Sequence, residues 1–105
     1  MMIRLSYASQ IAAGHSREDI DAIVIAADWA NRRRGITGII SFDGKRIVQI
    51  LEGSPHTVDL LFDQIRQDHR HIGIVELARV PINERAFAAW GMTLRPASDV
   101  LTWAL

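Results

Sequence analysis

No cysteine occurs in the 105-residue chain, which excludes disulfides, thiolate metal sites and cysteine-based covalent chemistry. Net charge is missing as well. Twelve basic residues balance twelve acidic ones, so nothing points to a nucleic-acid footprint or to attraction by anionic membranes. No apolar run approaches the roughly 20 residues that a membrane helix needs. The N-terminus leads straight into an alternating strand pattern and does not read as a signal peptide, so a cytoplasmic location is the default expectation. Phosphate-binding glycine loops, nucleophile elbows and paired carboxylates with defensible geometry are also lacking, and we expect no enzymatic activity. What is present suits one soluble domain with a single core: 49 % hydrophobic and 23 % charged residues.

The strongest local signal is a hairpin over residues 36–53. Two β-rich runs flank Asp43 and Gly44, a pair suited to a two-residue turn because both central positions require positive φ. That turn predicts the pairs Phe42 with Lys45, Ile40 with Ile47, Gly38 with Gln49 and Ile36 with Leu51. With side chains alternating, one face carries Ile36, Gly38, Ile40, Phe42, Ile47, Gln49 and Leu51. Gln49 is the only hydrogen-bonding side chain among these, and the predicted partner across from it, Gly38, has no side chain. A lone amide beside a vacancy suggests a place prepared for another group.

Around the hairpin, Ile3, Leu5 and Tyr7 alternate as a first strand. Ser16 caps a helix over 17–34, with Asp19 three residues on and Gly35 as the stop. Its inward stripe is Ile20, Ile23, Val24, Ala27 and Asn31, and Ala22, Ile25 and Trp29 widen the apolar arc. A second helix covers 56–68 with Val58, Leu61 and Ile65 inward. A strand over 72–80, a turn over 81–84 and a last strand over 85–94 follow. In that last strand Ala88, Trp90, Met92 and Leu94 share a face. The order β-α-β-β-α-β-β predicts an α+β, ferredoxin-like sandwich with a mixed five-stranded sheet and both helices on one face. The first strand would lie between the strands that follow each helix, bringing Tyr7 towards Gln49. We divide the chain into a domain over 1–95 and a tail over 96–105 with a short helix starting near Ser98.

Tyr7, Asn31, Gln49, Trp90 and Met92 can thus face one region between the helices. Taken singly, each reads as a core polar or packing residue whose groups satisfy one another. A buried glutamine nevertheless has two donor hydrogens and an acceptor to satisfy, at about 1–3 kcal/mol for each group left unpaired. A flat heterocycle with alternating donors and acceptors would meet that demand. His69 and His71 have a metal-like spacing but no third ligand, and read as a solvated turn. Glu52 falls on the face opposite Gln49.

Several short motifs, in order and at compatible spacing from residue 3 to about 94, resemble the BLUF domains, sensors of blue light using FAD. They are Tyr7-Ala8-Ser9, Asn31 followed by Ile36-Thr37-Gly38, Gln49-Ile50-Leu51-Glu52-Gly53, Asp68-His69-Arg70-His71 and Arg85-Ala86-Phe87-Ala88-Ala89-Trp90-Gly91-Met92. The resemblance implies a flavin held noncovalently between the two helices. Tyr7, Asn31, Gln49, Ile23, Val24 and Met92 would bind it. Tyr7 would hydrogen-bond Gln49, Gln49 would contact flavin N5 and O4, and Asn31 would hold the pyrimidine edge. It further implies light-driven electron transfer from the tyrosine, proton movement through the glutamine, and a rotated or tautomerised amide that red-shifts the flavin absorption. Trp90 and Met92 would carry the rearrangement onward. The missing cysteine excludes the thiol-adduct photochemistry of other flavin light sensors. Ala30 stands where the family often has a polar or aromatic ring-contacting residue, which implies weaker flavin packing or altered recovery. FAD is the implied cofactor, with FMN and riboflavin as alternatives, and Arg32 and Arg33 as phosphate candidates.

Signalling would pass to a separate downstream protein. Thr37, Ile39, Val48 and Ile50 form an apolar patch on the outer sheet face that needs cover, from the tail (Val100, Leu101, Trp103) or from a second subunit in a homo-oligomer. The alternative function is a non-photoactive ferredoxin-like interaction module that has lost flavin. A small flavin enzyme is a third reading, without a substrate-facing acid or base to support it.

Overall fold

The computed structural model describes residues 1–104. Seven elements follow one another: β1 (Met2–Ile11), α1 (Arg17–Arg34), β2 (Thr37–Phe42), β3 (Arg46–Gly53), α2 (Pro55–Arg66), β4 (His71–Ile82) and α3 (Ala97–Ala104). The strands form one sheet in the order β2-β3-β1-β4, and every pair is antiparallel. Both β-α-β connections are therefore split by one intervening strand. β1 lies between β3 and β4, so its neighbour is the second strand of the hairpin, not the first.

The expected mixed, five-stranded sheet is not formed. Residues 85–94 make only one parallel bridge, Ile40 to Leu94. They touch β2 through isolated backbone bonds, Gly38 N–H to Trp90 O, Ile40 N–H to Thr93 O and Arg95 N–H to Ile40 O. Side chains of α1 and β3 take up other backbone groups of this stretch, and a continuous ladder cannot form. β4 in turn runs through Pro81, where a turn was expected. It is an edge strand, the place where a proline without an N–H is tolerated.

The hairpin is also wider than the two-residue turn. Gly44 is at φ +99, while among the described residues no non-glycine has positive φ. The Asp43 carboxylate instead accepts from the N–H groups of Lys45 and Arg46, at 2.9 and 2.7 Å. The register moves by two: Phe42 faces Ile47, Ile40 faces Gln49 and Gly38 faces Leu51. A shift of two preserves parity, so every side chain keeps its predicted face. The supposed vacancy is not there. A side chain at Gly38 would run into the carbonyl of Ile50 and come within 3.3 Å of the Met92 methyl.

α1 starts at Ser16, whose N–H donates to Asp19 Oδ2 at 2.8 Å, and ends at left-handed Gly35, φ +69. Ile20 and Asn31 are buried on its inner side. Ala22, Ile25 and Trp29 are exposed, Ile25 by 74 % and Trp29 by 64 %, so the arc is narrower than predicted. α2 buries Val58 and Phe62, spaced four apart. The inner core gathers Ile3, Leu5, Tyr7, Ile36, Ile40, Leu51 and Met92 beneath these helices.

A second core lies on the other face, where Val100 and Ala104 of α3 cover Ile39, Val48, Ile50 and Phe87. Ser6 Oγ donates to the Ala104 carbonyl at 2.8 Å and ties the end of α3 to the sheet. Leu101 points to solvent instead, and half-exposed Trp103 meets Phe87 edge-on at 5.6 Å. Among the described residues no helix is long and apolar enough to cross a membrane, and no three His, Asp or Glu side chains gather as a metal site.

Candidate functional site

A cavity of about 290 Å³ opens between α1 and α2 above the sheet, at the lower end of the usual range for ligand pockets. Its walls are mostly aliphatic: Ile20, Ile23, Ala26, Ala27 and Ala30 from α1, Leu61 and Ile65 from α2, with Ile40 and Ile47 from the sheet. Tyr7, Asn31 and Gln49 supply a polar edge inside it. Arg34, Gln64, Asp68, Arg70 and His71 also line it. Val24 and Met92, both expected to bind the cofactor, belong to the core without lining the cavity.

β1 and β3 place Tyr7 directly opposite Gln49. The Tyr7 hydroxyl donates to Gln49 Oε1, which orients the amide. Its Nε2 then faces Met92, with the sulfur at 3.6 Å. The amide thus has one strong partner and one weak one, since a thioether is a poor acceptor. Phe62 lies 5.3 Å from the Tyr7 ring and His71 6.2 Å. Burial pushes the phenol pKa well above its ordinary value, and the Asp68 charge adds to this, so the neutral, donating form is held.

Asn31 Nδ2 donates to Gly91 O at 2.9 Å. One turn earlier on α1, Asp28 Oδ1 accepts from the Met92 N–H at 3.1 Å. These two side chains clasp Gly91 and Met92, and a side chain at Gly91 would collide with the Asp28 carbonyl. The Met92 N–H lowers the Asp28 pKa more than any other group does. Trp90, expected on the same face as Met92, is elsewhere. It is 37 % exposed and lines a groove with Ile39, Phe87 and Trp103 on the α3 side, whereas Met92 is buried. Strand alternation fails here because the segment is not a strand.

Sequence reasoning passed over several lining residues. Asp68 and Arg70 form an ion pair at 2.6 Å, and the Arg70 guanidinium holds the Asp68 carboxyl down at about 2. His71 Nε2 donates to the Ile65 carbonyl at 2.6 Å, so in the neutral ring Nδ1 accepts from Ser9 Oγ at 2.9 Å. Arg32 and Arg33 do not reach the cavity. Arg32 pairs with Asp28, and Arg33 lies over Trp29 at 4.7 Å. Arg34 and Arg70 are the cations that line it. The fourth-residue spacing from Val58 could have found Phe62, and the three-residue spacing from Asn31 along α1 could have found Arg34.

The family model described as sensors of blue-light using FAD matches residues 2–93. The chain belongs to the BLUF family. It is 39 % identical over 90 residues to the photoactivated adenylate cyclase subunit beta of Euglena longa, covering 85 % of this chain and 10 % of that protein. It is 35 % identical over 94 residues to the blue light- and temperature-regulated antirepressor BluF of Escherichia coli (strain K12), covering 90 % of this chain and 23 % of that one. The dark-state structure of BlrB, a BLUF protein, superposes with a TM-score of 0.86 at 33 % identity, covering 98 % of this chain and 78 % of that chain. The BLUF chain described here thus spans less than a quarter of the length of these two curated relatives.

BLUF domains are blue-light sensor modules that bind flavin. The cavity fits such a group: it is largely apolar along its walls, and the Gln49 amide within it has only a thioether at its donor end.

Proposed function

We propose that this chain is a flavin-binding blue-light photosensor that switches through the hydrogen bonds of Gln49. The observation that carries the reading is the hydroxyl of Tyr7 donating to Gln49 Oε1 inside the cavity between α1 and α2. Tyr7, Asn31, Gln49 and Ile23 line the space for the flavin, with Val24 and Met92 behind them and FAD as the expected form. The bound flavin supplies the light absorption and an electron acceptor. Tyr7 is the electron donor, and its hydroxyl proton has a path along the hydrogen bond to Gln49 Oε1. The amide can then reorient at modest cost, because at its other end only the Met92 thioether is given up. Ile20, Leu61 and Ile65 limit water around that amide, which strengthens each hydrogen bond made there.

Met92 feels the reorientation first. It belongs to the segment that leads towards α3, and the output passes from there to a separate protein or to a further domain. Arg34 and Arg70 are placed to meet the polar part of the cofactor. Ala30 lines the cavity on its α1 side, and its small side chain is expected to give weaker flavin packing or altered recovery.

The test is an absorption spectrum of flavin-reconstituted protein before and after blue light. The expected result is a yellow protein with a small, reversible red shift. A protein that takes up no flavin, or a flavin spectrum indifferent to light, overturns the reading; the first result points to an interaction module and the second to a dark flavin protein.

A further inference from the structure

Glu52 is the most deeply held charge among the described residues and lies outside the cavity between α1 and α2. It is fully buried, three residues beyond Gln49 on β3 and on the opposite face. Oε2 accepts from Arg4 Nε at 3.2 Å and Nη2 at 3.1 Å, and from the Ala86 N–H at 2.9 Å. Oε1 accepts from Thr37 Oγ1 at 3.0 Å and from the Phe87 N–H at 3.0 Å. Arg85 adds to the knot by donating to the Glu52 carbonyl at 3.1 Å and to the carbonyl of Gly35, the cap of α1, at 2.6 Å. A buried carboxylate whose lone pairs are filled in this way has one permitted position.

The groups it holds are not an arbitrary set. Ala86 and Phe87 begin the stretch that ends at Met92, the residue touching the Gln49 amide. Arg4, the charged partner, lies over the Trp103 ring of α3 at 5.0 Å and over Phe87 at 5.9 Å. Phe87 itself meets Trp103 edge-on. Contacts therefore run without a gap from Gln49 to Met92, back along the segment to Phe87 and Glu52, and through Arg4 to Trp103. They cross from the helix side of the sheet to the α3 side.

We propose that Glu52 is the positioning residue that couples the Gln49 switch to α3, by fixing the start of the 85–92 segment and Arg4 to one carboxylate. This rests on the photosensor reading above. When the Met92 end of the segment moves, the Phe87 N–H stays pinned at Glu52, so the segment turns about that point. The turn swings the Phe87 ring against Trp103 and is not absorbed by a loose loop. A purely structural Glu52 would stabilise the fold equally in dark and light and would leave Trp103 indifferent to illumination.

The experiment is fluorine NMR on flavin-loaded protein labelled with fluorotryptophan, in the dark and under blue light, with the absorption shift recorded on the same sample. Single Trp→Phe variants assign Trp29, Trp90 and Trp103. In the wild type the Trp103 resonance is expected to move with light. In Glu52→Gln, which keeps the size of the side chain and removes its charge, the red shift persists and the Trp103 movement is lost. In Arg4→Lys, whose compact ammonium cannot both fork to the carboxylate and cover the indole, the movement is reduced; this variant decides the matter if Glu52→Gln does not fold. A lowered melting temperature with the Trp103 response intact in both variants overturns the proposal. A wild-type red shift with a stationary Trp103 overturns the coupling alone. A wild type without a red shift overturns the photosensor reading, and the coupling with it.

Discussion

The two faces of β3 treat a buried polar side chain in opposite ways. On the helix side, Gln49 sits beside a cavity with Tyr7 at one end and a thioether at the other. On the α3 side, Glu52 sits in a closed core with five hydrogen bonds from four residues, Arg4, Thr37, Ala86 and Phe87. Both residues are nearly inaccessible. Burial alone therefore does not separate a group that can move from one that cannot. The separation comes from partners: an amide with a weak contact can exchange it, whereas a saturated carboxylate has nothing to exchange.

The most severe way to test the fixed face is Glu52→Leu. It removes the acceptor for Arg4, for Thr37 and for the N–H groups of Ala86 and Phe87 together. Removing one partner of a buried ion pair costs about 3–5 kcal/mol. Urea denaturation should show a loss of that order. A loss below about 1 kcal/mol, the typical worth of an exposed ion pair, would put the two faces on the same footing.

The movable face is tested by a cycle on Tyr7 and Gln49. Tyr7→Phe leaves Gln49 Oε1 without its donor, and Gln49→Leu leaves the Tyr7 hydroxyl without its acceptor. Each single change is expected to cost about 1–3 kcal/mol, and the double variant less than the sum, since removing both partners leaves nothing unpaired. All three proteins should retain flavin and lose the light-induced red shift. Full additivity in denaturation would mean that the bond contributes nothing, and a surviving red shift in either single variant would remove that residue from the switch.

How far these two faces could be read in advance differs too. Parity along β3 put Gln49 and Glu52 on opposite sides, and it survived a register error of two residues because alternation depends only on odd or even spacing. The vacancy argued from Gly38 did not survive, since it depended on the register itself. Side-chain alternation put Tyr7 on the Gln49 face although β1 was expected beside the other strand of the hairpin, and helix period put Asn31 on the inner side of α1. The importance of Glu52 was not, because its partners lie 15 to 48 residues away and no local pattern announces them. The same holds for residues 85–94. Their β-like composition predicted alternation, but their backbone groups are claimed by Asn31, Asp28 and Glu52, and so Trp90 and Met92 part company.

Alkaline pH probes the helix side more gently. Tyr7 in the fold has its pKa raised by burial, against about 10 in the unfolded chain. Stability from the neutral phenol is complete below that unfolded value and declines as pH rises above it, where only the unfolded state releases its proton. The expected slope is at most about 1.4 kcal/mol per pH unit. Since Tyr7 is the single tyrosine, phenolate absorbance should rise together with unfolding followed by circular dichroism. Phenolate forming in a folded protein would mean that the hydroxyl is open to solvent.

The smallest effect belongs to the lining of the cavity, where neither face's logic applies. Asp68 has its pKa depressed to about 2, first by the Arg70 side chain and with Arg70's charge and backbone adding to it. A depressed carboxyl contributes stability above its unfolded value near 3.9, and that contribution is lost as pH falls through about 2. Both partners are partly solvated, with side-chain exposures of 29 and 42 %, so screening holds the contribution of the pair to less than about 1 kcal/mol. Asp68→Asn should therefore change the denaturation midpoint little at neutral pH. It should also flatten the acid limb of the stability profile between about pH 4 and 2. A loss comparable to that of Glu52→Leu would show that this lining is built like the closed core and not like an open mouth.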